Sequence, residues 1–327
     1  MARPKVLFVV EKWAECNPEH PLSNSHHIYI GSLEAAGFAE VDTFFFDEVC
    51  WQSGEKCDAA LINKCRDSKP DLIYMTMVQG TDLNPLPETL AVIRNELSIP
   101  IAASYGDTYS PASIEWIERY TPAITRNVIL DNYSCYRQHA SEPSLYMDGW
   151  TPQHPDYFYG SDAGRPIGIS FIGSVSQYPS RKLAISMLME GGVDISVRGG
   201  QLDDHLSIED YAGFLRASRI SLNFPQAAFS QDLLHCKGRV MEITLCGALL
   251  VEQENPETRR WFEPGVDYLD YRHEKDLIDK VRYYLAHEGE RAAIARVGHQ
   301  KAIENYTAEA FWRRLFAEFG LSTANTL

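Results

Sequence analysis

The sequence lacks an excess of basic residues, and it lacks long apolar runs. Its 327 residues include 30 Lys and Arg against 45 Asp and Glu, so the formal net charge is −15. Nucleic-acid surfaces and polybasic membrane patches need clustered cations, so we expect no nucleic-acid partner, although a small phosphate pocket remains compatible with this charge. No run approaches the ~20 apolar residues of a transmembrane helix, so we expect no membrane span.

Several chemical motifs are also missing. The seven cysteines form no CxxC pair, and their odd number fits reduced thiols in a cytoplasmic protein. HExxH, GxSxG and GxGxxG are absent, as is any His/Cys/Asp set at metal-ligand spacing, so we expect no metal ion. The opening MARPKVLFVVEKW has only a short apolar run, and we expect a first strand there rather than a signal peptide.

What the chain does contain is a regular alternation of short apolar runs and stretches of helical periodicity, which is typical of α/β proteins with parallel sheets. The expected strands are Val6–Val10, Val41–Phe46, Leu72–Met75, Ile101–Ser104, Asn127–Leu130, Ile167–Ile172, Asp194–Val197, Ile220–Asn223, Ala248–Val251 and Tyr268–Tyr271. The expected helices are His27–Ala36, Glu88–Leu97, Arg181–Met189, Ile208–Ala217, Arg239–Cys246, Lys275–His287, Arg291–Asn305 and Ala308–Phe319.

A break in this alternation predicts two domains. Residues 148–166 are rich in Pro, Gly, Asp and aromatic residues and are the best candidate for a linker. We therefore expect a first Rossmann-like domain over 1–160, a second over 161–307 and a separate C-terminal helix over 308–327. Two doubly wound domains would face each other across a cleft at the carboxyl ends of their strands, where ligands of such folds bind.

The segment HCKGRVMEITLCGALLVEQE, residues 235–254, is the most informative about function. Lys237 and Arg239 stand at an expected helix start, where cations and free N–H groups suit a diphosphate. Glu242 follows one turn later, and its carboxylate could accept hydrogen bonds from two sugar hydroxyls. An ordinary helix with a surface Arg–Glu pair explains the same residues, and the segment alone leaves both interpretations open.

The second domain opens with FIGSVSQYPSRKL, in which a strand, Gly173-Ser174 and a helix start follow one another. Glycine lets backbone approach a phosphate, and Arg181 lies in the first turn of the expected helix. The P-loop spacing is absent, and a plain turn with Ser180 as N-cap gives the same pattern. Asn223 ends another strand at the same edge, either as a ligand contact or as a turn former.

Three candidate catalytic residues follow strands of the first domain. His26 and His27 come after a long polar loop, near a helix start, where a histidine could act on a hydroxyl or contact a phosphate. Asp107 follows the Ile101–Ser104 strand and could be a base or could accept a hydrogen bond from a sugar hydroxyl. Helix packing of the histidines and turn formation by the aspartate are the structural alternatives.

From Tyr211 to Tyr306 the sequence resembles the C-terminal domain of GT-B glycosyltransferases, in the spore-maturation (CgeB-like) branch of the glycosyl transferases group 1. The pieces that carry the resemblance are YAGFLRASRISLNF, CKGRVMEITLCGALLVEQ, WFEPGVDYLDY, DLIDKVRYYLAHEGERAAIARVGHQK and YTAEAFW, and FIGSVSQYPSRKL and SYGDT agree with it. The resemblance implies a GT-B fold of two Rossmann-like domains, an acceptor domain followed by a donor domain. It also implies that the last helix packs back toward the first domain.

The same resemblance implies roles for individual residues. Glu242 matches the carboxylate that binds the nucleotide ribose, and Arg181 and Lys237 match the cations near the diphosphate, with Arg239 assisting. Many retaining relatives carry a Glu-x7-Glu pair. In this sequence Glu242 is its second member and Leu234 stands at the first position.

We therefore expect a metal-independent, retaining glycosyltransferase. It would move a hexose from a nucleotide-diphosphate sugar to a hydroxyl acceptor on a glycan, a small molecule or a protein, with no cofactor beyond the donor substrate. A nucleotide-sugar epimerase of the same fold would need no acceptor, and a degenerate nucleotide-binding protein would show no turnover. Assays of binding and turnover distinguish these three.

Overall fold

The computed structural model describes residues 3–105, 111–131, 133–160, 164–199, 206–227 and 230–323. The chain divides into two compact units. Unit 1 runs to His154 and resumes at Ala308, and unit 2 is Pro155–Thr307. The boundary expected after residue 160 falls just beyond this division, after the short helix Pro155–Phe158.

Unit 1 is built on a parallel sheet. Its strands are β1 (Lys5–Val10), β2 (Glu40–Phe45), β3 (Leu72–Met77), β4 (Ile101–Tyr105), β5 (Arg126–Ile129) and β6 (Tyr146–Asp148). They lie in the order β2-β1-β3-β4-β5-β6, and every neighbouring pair is parallel. The order reverses between β1 and β3, which places the switch point of this sheet at their carboxyl ends.

Unit 2 has a second parallel sheet and a small antiparallel pair. The strands are β7 (Ile167–Ile172), β8 (Ile195–Arg198), β9 (Ser218–Asn223), β10 (Gln226–Ala227), β11 (Ser230–Leu234), β12 (Leu249–Gln253) and β13 (Leu269–Tyr271). The parallel sheet has the order β13-β12-β9-β7-β8, while β10 pairs with β11. Its order reverses between β7 and β9, so the switch point of unit 2 lies where these two strands end.

Helices connect the strands in both units. Those in the described ranges are α1 (Ser32–Ala36), α2 (Phe46–Ser53), α3 (Asp58–Ser68), α4 (Pro87–Asn95), α5 (Pro111–Glu118), α6 (Tyr133–His139), α7 (Pro155–Phe158), α8 (Pro179–Glu190), α9 (Ile208–Arg216), α10 (Gly238–Leu245), α11 (Glu274–Ala286), α12 (Glu288–Asn305) and α13 (Ala308–Glu318). None of them combines the length and the apolar character that a membrane crossing requires.

All of the expected strands are present, with small shifts at their ends. The short strands β6, β10 and β11 were not expected, because two to five residues carry too little pattern to predict a strand. The expected α-helix over His27–Ala36 was wrong in its first part. His26–Gly31 forms a π-helical turn and only Ser32–Ala36 is α-helical, because a π turn accommodates an extra residue that apolar periodicity does not reveal.

The C-terminal helix α13 packs within unit 1. Trp312 is fully buried, and its Nε1 donates a hydrogen bond to Ser32 Oγ at 2.9 Å. Its ring lies edge-on to Phe8 and Tyr74, with centroids 5.7 and 5.0 Å away. A buried indole with its N–H satisfied is a strong anchor, so α13 completes the core of unit 1 although it follows unit 2 in sequence.

Arg165 ties two helix ends together in unit 2. Its guanidinium donates to the carbonyl oxygens of Arg216 and Ser218, at 2.7 and 2.9 Å, and to that of Cys246 at 2.8 Å. Arg216 is the last residue of α9 and Cys246 caps α10. A cation at the carboxyl ends of two helices compensates both helix dipoles, which fixes α10 relative to the sheet edge.

Candidate functional site

Two predicted site residues meet at the switch point of unit 2. Gly173 follows β7 directly and Asn223 is the last residue of the neighbouring β9. Gly173 has a φ of +135°, and a Cβ built there would lie 2.8 Å from Nη2 of Arg239. The backbone conformation requires glycine, so the backbone is bare beside a guanidinium group.

Arg239 reaches this edge from the first turn of α10. Its Nη1 donates to Asn223 Oδ1 at 3.2 Å, and its Cζ lies 5.3 Å from the centroid of the Phe171 ring. The turn role considered for Asn223 was wrong, since its side chain bonds Arg239 and a buried glutamate. The Nε of Arg239 is buried and has no hydrogen-bond partner in the described part of the chain.

Arg181 brings a second guanidinium group to the same place from the first turn of α8. It is 3% exposed and donates from Nη1 to the carbonyl oxygen of Ser174 at 2.7 Å. Burial, together with the charge of Arg239, lowers the pKa of Arg181 to about 10. The Nε of Arg181 and the Oγ of Ser174 are buried without a hydrogen-bond partner among the described residues. Tyr178 is the N-cap of α8, so the predicted capping by Ser180 was wrong.

Lys237 is the N-cap residue of α10, as the sequence predicts for a helix start. Its Nζ donates to the carbonyl oxygen of Gln226 at 3.0 Å and lies 5.2 Å from the centroid of Tyr178. The Cζ of Arg181 lies 3.3 Å from the centroid of the same ring. Tyr178 therefore contacts two cations, and this aromatic residue was not predicted as part of the site.

His235 reports how closely the three cations are grouped. It is almost fully buried. Burial, followed by the charges of Lys237, Arg181 and Arg239, lowers its pKa to about 3. The imidazole is therefore neutral at physiological pH, and it lies within the field of all three cations. The structure thus brings the predicted Arg181, Lys237 and Arg239 into one positively charged cluster.

Glu242 lies one turn after Arg239 on α10. Its Oε2 accepts a hydrogen bond from the hydroxyl of Tyr211 on α9 at 2.5 Å. Burial, and then the negative charge of Glu242, raise the pKa of the Tyr211 hydroxyl, which keeps it protonated as a donor. Tyr211 is thus a partner of this oxygen, and the carboxylate is held at a defined place beside the cation cluster.

Glu252 was not predicted from the sequence, although it lies at the same edge. It is fully buried near the end of β12, and its Oε1 accepts from Asn223 Nδ2 at 2.7 Å and from Asn255 Nδ2 at 3.3 Å. Burial raises the pKa of Glu252 to about 7. A charged residue inside the apolar strand LLVEQ was the available signal, because unpaired carboxylates are seldom buried.

The remaining predicted residues belong to unit 1. His26 and His27 begin the π-helical turn. The Nε2 of His26 forms a hydrogen bond with the carbonyl oxygen of Lys12 at 3.2 Å, and its ring stacks on Phe45 with centroids 5.0 Å apart. The ring of His26 therefore has a packing role. Asp107 lies outside the described residues.

Glu11 is a further buried carboxylate at the edge of the first sheet, directly after β1. It accepts hydrogen bonds from the hydroxyl of Ser23, from Ser25 Oγ at 2.7 Å and from Thr76 Oγ1 at 2.5 Å. These bonds hold the polar loop that follows β1 against the carboxyl ends of the strands. No group of three or more His, Cys, Asp or Glu side chains suited to a metal ion occurs in the described ranges.

One family matches part of the chain. Residues 176–317, less than half of the chain, match the family described as "Glycosyl transferase-like". No curated protein sequence matches. The matched stretch begins in the loop after β7 and contains Arg181, Asn223, Lys237, Arg239 and Glu242. It therefore contains the whole cation cluster.

Solved structures resemble the fold over nearly its full length. Anabaena Alr3699/HepE, solved in complex with UDP and glucose, has a TM-score of 0.66 at 10% identity over 97% of this chain and 99% of that chain. A glycosyltransferase from Rickettsia africae ESF-5 has a TM-score of 0.61 at 10% identity, over 98% of each chain. Sucrose-phosphate synthase from Thermosynechococcus elongatus has a TM-score of 0.60 at 12% identity, over 97% of this chain and 100% of that chain.

Identities this low establish the fold alone. The expected fold class is confirmed: the chain is an α/β protein with parallel sheets and two Rossmann-like units, and it has the GT-B fold of glycosyltransferases.

Proposed function

We propose that this protein is a glycosyltransferase that moves a hexose from a nucleoside-diphosphate sugar to a hydroxyl acceptor. The main support is the pair of guanidinium groups, Arg181 and Arg239, at the switch point of unit 2. Two like charges side by side in a partly desolvated place cost free energy until an anion neutralises them. Each group also has a buried Nε without a hydrogen-bond partner in the described chain, so the protein does not satisfy all of its donors.

The surrounding backbone suits a diphosphate in particular. Helices α8 and α10 both begin at this edge, and their first N–H groups add positive potential. Gly173 leaves the backbone bare beside the guanidinium group of Arg239, which suits a close approach of backbone and phosphate. Lys237 adds a third cation, so the charge of two linked phosphates can be matched.

The same groups would stabilise the leaving group of the transfer. As the bond between the anomeric carbon and the diphosphate oxygen breaks, negative charge builds up on the nucleoside diphosphate. Arg181, Arg239 and Lys237 are in place before the reaction and would stabilise that charge without reorganising. We therefore propose a metal-independent transfer.

Glu242 is the proposed contact of the nucleotide ribose, as the resemblance implies. Its carboxylate is fixed by Tyr211 on one oxygen, which would direct the group toward the ribose hydroxyls. Since the similar HepE structures contain UDP and UDP-glucose, a UDP-hexose is the proposed first donor to test. The proposal extends to the CgeB-like branch, which the sequence pieces of unit 2 support, and to a cytoplasmic location, which the cysteine content supports.

Unit 1 is proposed to bind and activate the acceptor. His26, His27 or Asp107 would orient or deprotonate the acceptor hydroxyl, which belongs to a glycan, a small molecule or a protein. Retention of configuration at the anomeric carbon is part of the proposal. If these side chains only pack, their replacement by Ala leaves transfer intact, whereas a large loss of kcat with an unchanged KM for the donor supports their role.

A transfer assay with a panel of UDP-hexoses and mixed hydroxyl acceptors tests the function. We expect release of UDP that depends on the acceptor, resists EDTA and yields a product whose anomeric configuration, read by NMR, matches that of the donor. Conversion of the donor sugar without any acceptor would instead indicate an epimerase. Saturable UDP binding without any turnover would indicate a binding protein and would contradict the proposal.

A further inference from the structure

Three polar residues form a hydrogen-bonded chain from the buried sheet of unit 2 to its carboxyl edge. Asn223 Nδ2 donates to Oε1 of Glu252 at 2.7 Å, and Asn223 Oδ1 accepts from Nη1 of Arg239 at 3.2 Å. Asn223 and Glu252 are fully buried, on the adjacent strands β9 and β12, where they are direct register partners. The sheet thus fixes the distance between Asn223 and Glu252, while the third hydrogen-bonded residue, Arg239, lies on helix α10.

The chemistry of Glu252 dictates which way the Asn223 amide points. Glu252 offers a carboxyl oxygen, which in the carboxylate form only accepts hydrogen bonds, so Asn223 presents its NH₂ group to it. The carbonyl oxygen of the amide is then directed to the other side, where it meets a guanidinium donor. With a donor in place of Glu252 the amide would rotate and would present its NH₂ group to Arg239, two donors facing each other.

Arg239 needs such a constraint. Its side chain is long and flexible, and the charge of Arg181 lies nearby and repels it. Phe171 supports one face of the guanidinium group, and Gly173 leaves just enough space for its Nη2. The contact with Phe171 alone would allow the guanidinium group several positions. The hydrogen bond to Oδ1 of Asn223, which the sheet holds in place, selects one of them.

As a buried carboxyl, Glu252 lowers the stability of the folded state. The burial that raises the pKa of Glu252 weakens the folded state while the carboxyl is ionised. A group that costs stability at the edge of a ligand site is better explained by what it does to its neighbours.

We propose that Glu252 and Asn223 are positioning residues that hold Arg239 over Gly173, in the place where its guanidinium group meets a diphosphate oxygen of the donor. The ligand in this inference rests on the proposed function, whereas the constraint on Arg239 does not. Glu252 does not touch the ligand in this arrangement. It acts through Asn223, two hydrogen bonds away from the guanidinium group.

The first test needs no ligand. The Nε–Hε resonance of Arg239, assigned with Arg239→Lys in protein labelled with ¹⁵N-arginine, reports whether the side chain is held. We expect a sharp, slowly exchanging signal in the wild type and in Glu252→Gln, whose amide oxygen can still accept from Asn223. Asn223→Leu and Glu252→Leu should broaden the signal or abolish it. Glu257→Gln is the matched control, since Glu257 is also buried but pairs with Arg260.

The second test measures UDP affinity and the unfolding midpoint on the same variants. Loss of the constraint should weaken UDP binding about tenfold in Asn223→Leu and Glu252→Leu, the size expected for a hydrogen bond to a charged group. Glu252→Leu should at the same time unfold at a lower temperature, because the buried amide nitrogens of Asn223 and Asn255 lose their acceptor. A merely structural role would lower the midpoint and leave the UDP affinity, measured well below that midpoint, unchanged.

The outcomes separate the two levels of inference. An unchanged Arg239 signal and unchanged UDP affinity in both leucine variants would overturn the positioning role, whatever the protein binds. If the leucine variants broaden the Arg239 signal but the wild-type protein binds no UDP, the proposed donor is contradicted. The constraint on Arg239 then still stands. If Glu252→Leu does not fold, Asn223→Leu and Glu252→Gln still give opposite expectations.

Discussion

The hydroxyl of Tyr211 on α9 donates to Oε2 of Glu242 on α10 across 2.5 Å, so one helix fixes a carboxylate of the next. If Glu242 binds the ribose hydroxyls, its replacement by Ala should remove the preference for UDP over 2′-deoxy-UDP. Tyr211→Phe should reduce the preference, since the carboxylate loses its anchor. We expect the wild type to favour UDP about tenfold, the size of a hydrogen bond to a charged group, measured by calorimetry.

Tyr283→Phe is the matched control for that measurement, because Tyr283 is an exposed tyrosine of unit 2 on α11. It should leave both affinities unchanged. Equal affinity of the wild-type protein for the two nucleotides would contradict the ribose role of Glu242.

Gly173→Ala should abolish UDP binding at a moderate cost in stability. The new Cβ would displace the guanidinium group of Arg239, and φ at +135° strains any residue with a side chain. We expect a loss of about 1–3 kcal/mol in the free energy of unfolding. Gly168→Ala, in the strand that leads to Gly173 but with only an ordinary contact to Leu285, should bind UDP normally. Normal binding by Gly173→Ala would show that the bare backbone at this edge has no part in the site.

Glu252→Gln should change how stability depends on pH. The carboxyl has a pKa of about 7 when folded and about 4.5 when unfolded, so the native state binds the proton more tightly. Its contribution to the free energy of unfolding is therefore fully present below pH 4.5 and falls by about 3 kcal/mol as the pH rises to 7. Lys237 faces the carboxyl and lowers its pKa in part, while Tyr268 and Tyr271 face it as neutral phenols.

The measured quantity is the difference between the variant and the wild type in denaturant titrations from pH 4.5 to 8. His235 acts in the opposite direction in the wild type, because its folded pKa of about 3 makes its contribution disappear as the pH falls below 6.5. Both proteins carry His235, so the difference isolates Glu252 and should grow in favour of Glu252→Gln as the pH rises. Glu190→Gln, an exposed carboxyl on α8, should give a difference that stays flat.

Gly298→Ala should destabilise unit 2, although alanine is the better helix former. A Cβ at position 298 would lie 2.1 Å from the carbonyl oxygen of Asp267. This is a backbone atom, so it cannot move away as the end of a side chain could. We expect a loss of roughly 3 kcal/mol, the upper part of the range for overpacking, in chemical denaturation. Gly289→Ala near the start of the same helix meets nothing within 4 Å and should be neutral or slightly stabilising. A neutral Gly298→Ala would mean that α12 does not pack against the Asp267 loop as described.

Much of the fold could be predicted because its physical causes are local. Buried parallel strands such as β3 and β12 are continuous apolar runs, and the start of α10 is marked by cations and a following carboxylate. Arg181, Lys237 and Arg239 were found for the same reason, as cations at helix starts next to strand ends. The sequence places each of them without showing that they share one neighbourhood.

The remaining features depend on contacts between distant parts of the chain. The bond between Asn223 and Glu252 requires the pairing of β9 with β12, which no local pattern reveals. Tyr178 looks like a loop residue until the two cations are seen to contact its ring. The predicted roles of His26, His27 and Asp107 stay predictions, since an acceptor site leaves no general signature in composition or spacing.

The central claim is that Arg181 and Arg239 form a diphosphate site, and calorimetric titration with UDP tests it most directly. The comparison is between the wild-type protein, Arg181→Met and Lys182→Met, the last being the exposed neighbouring cation on the same helix. We expect Lys182→Met to bind like the wild type and Arg181→Met to bind at least about tenfold more weakly, since a charged hydrogen bond is lost. Equal affinity in all three proteins, or no binding of UDP by the wild type, would contradict the account.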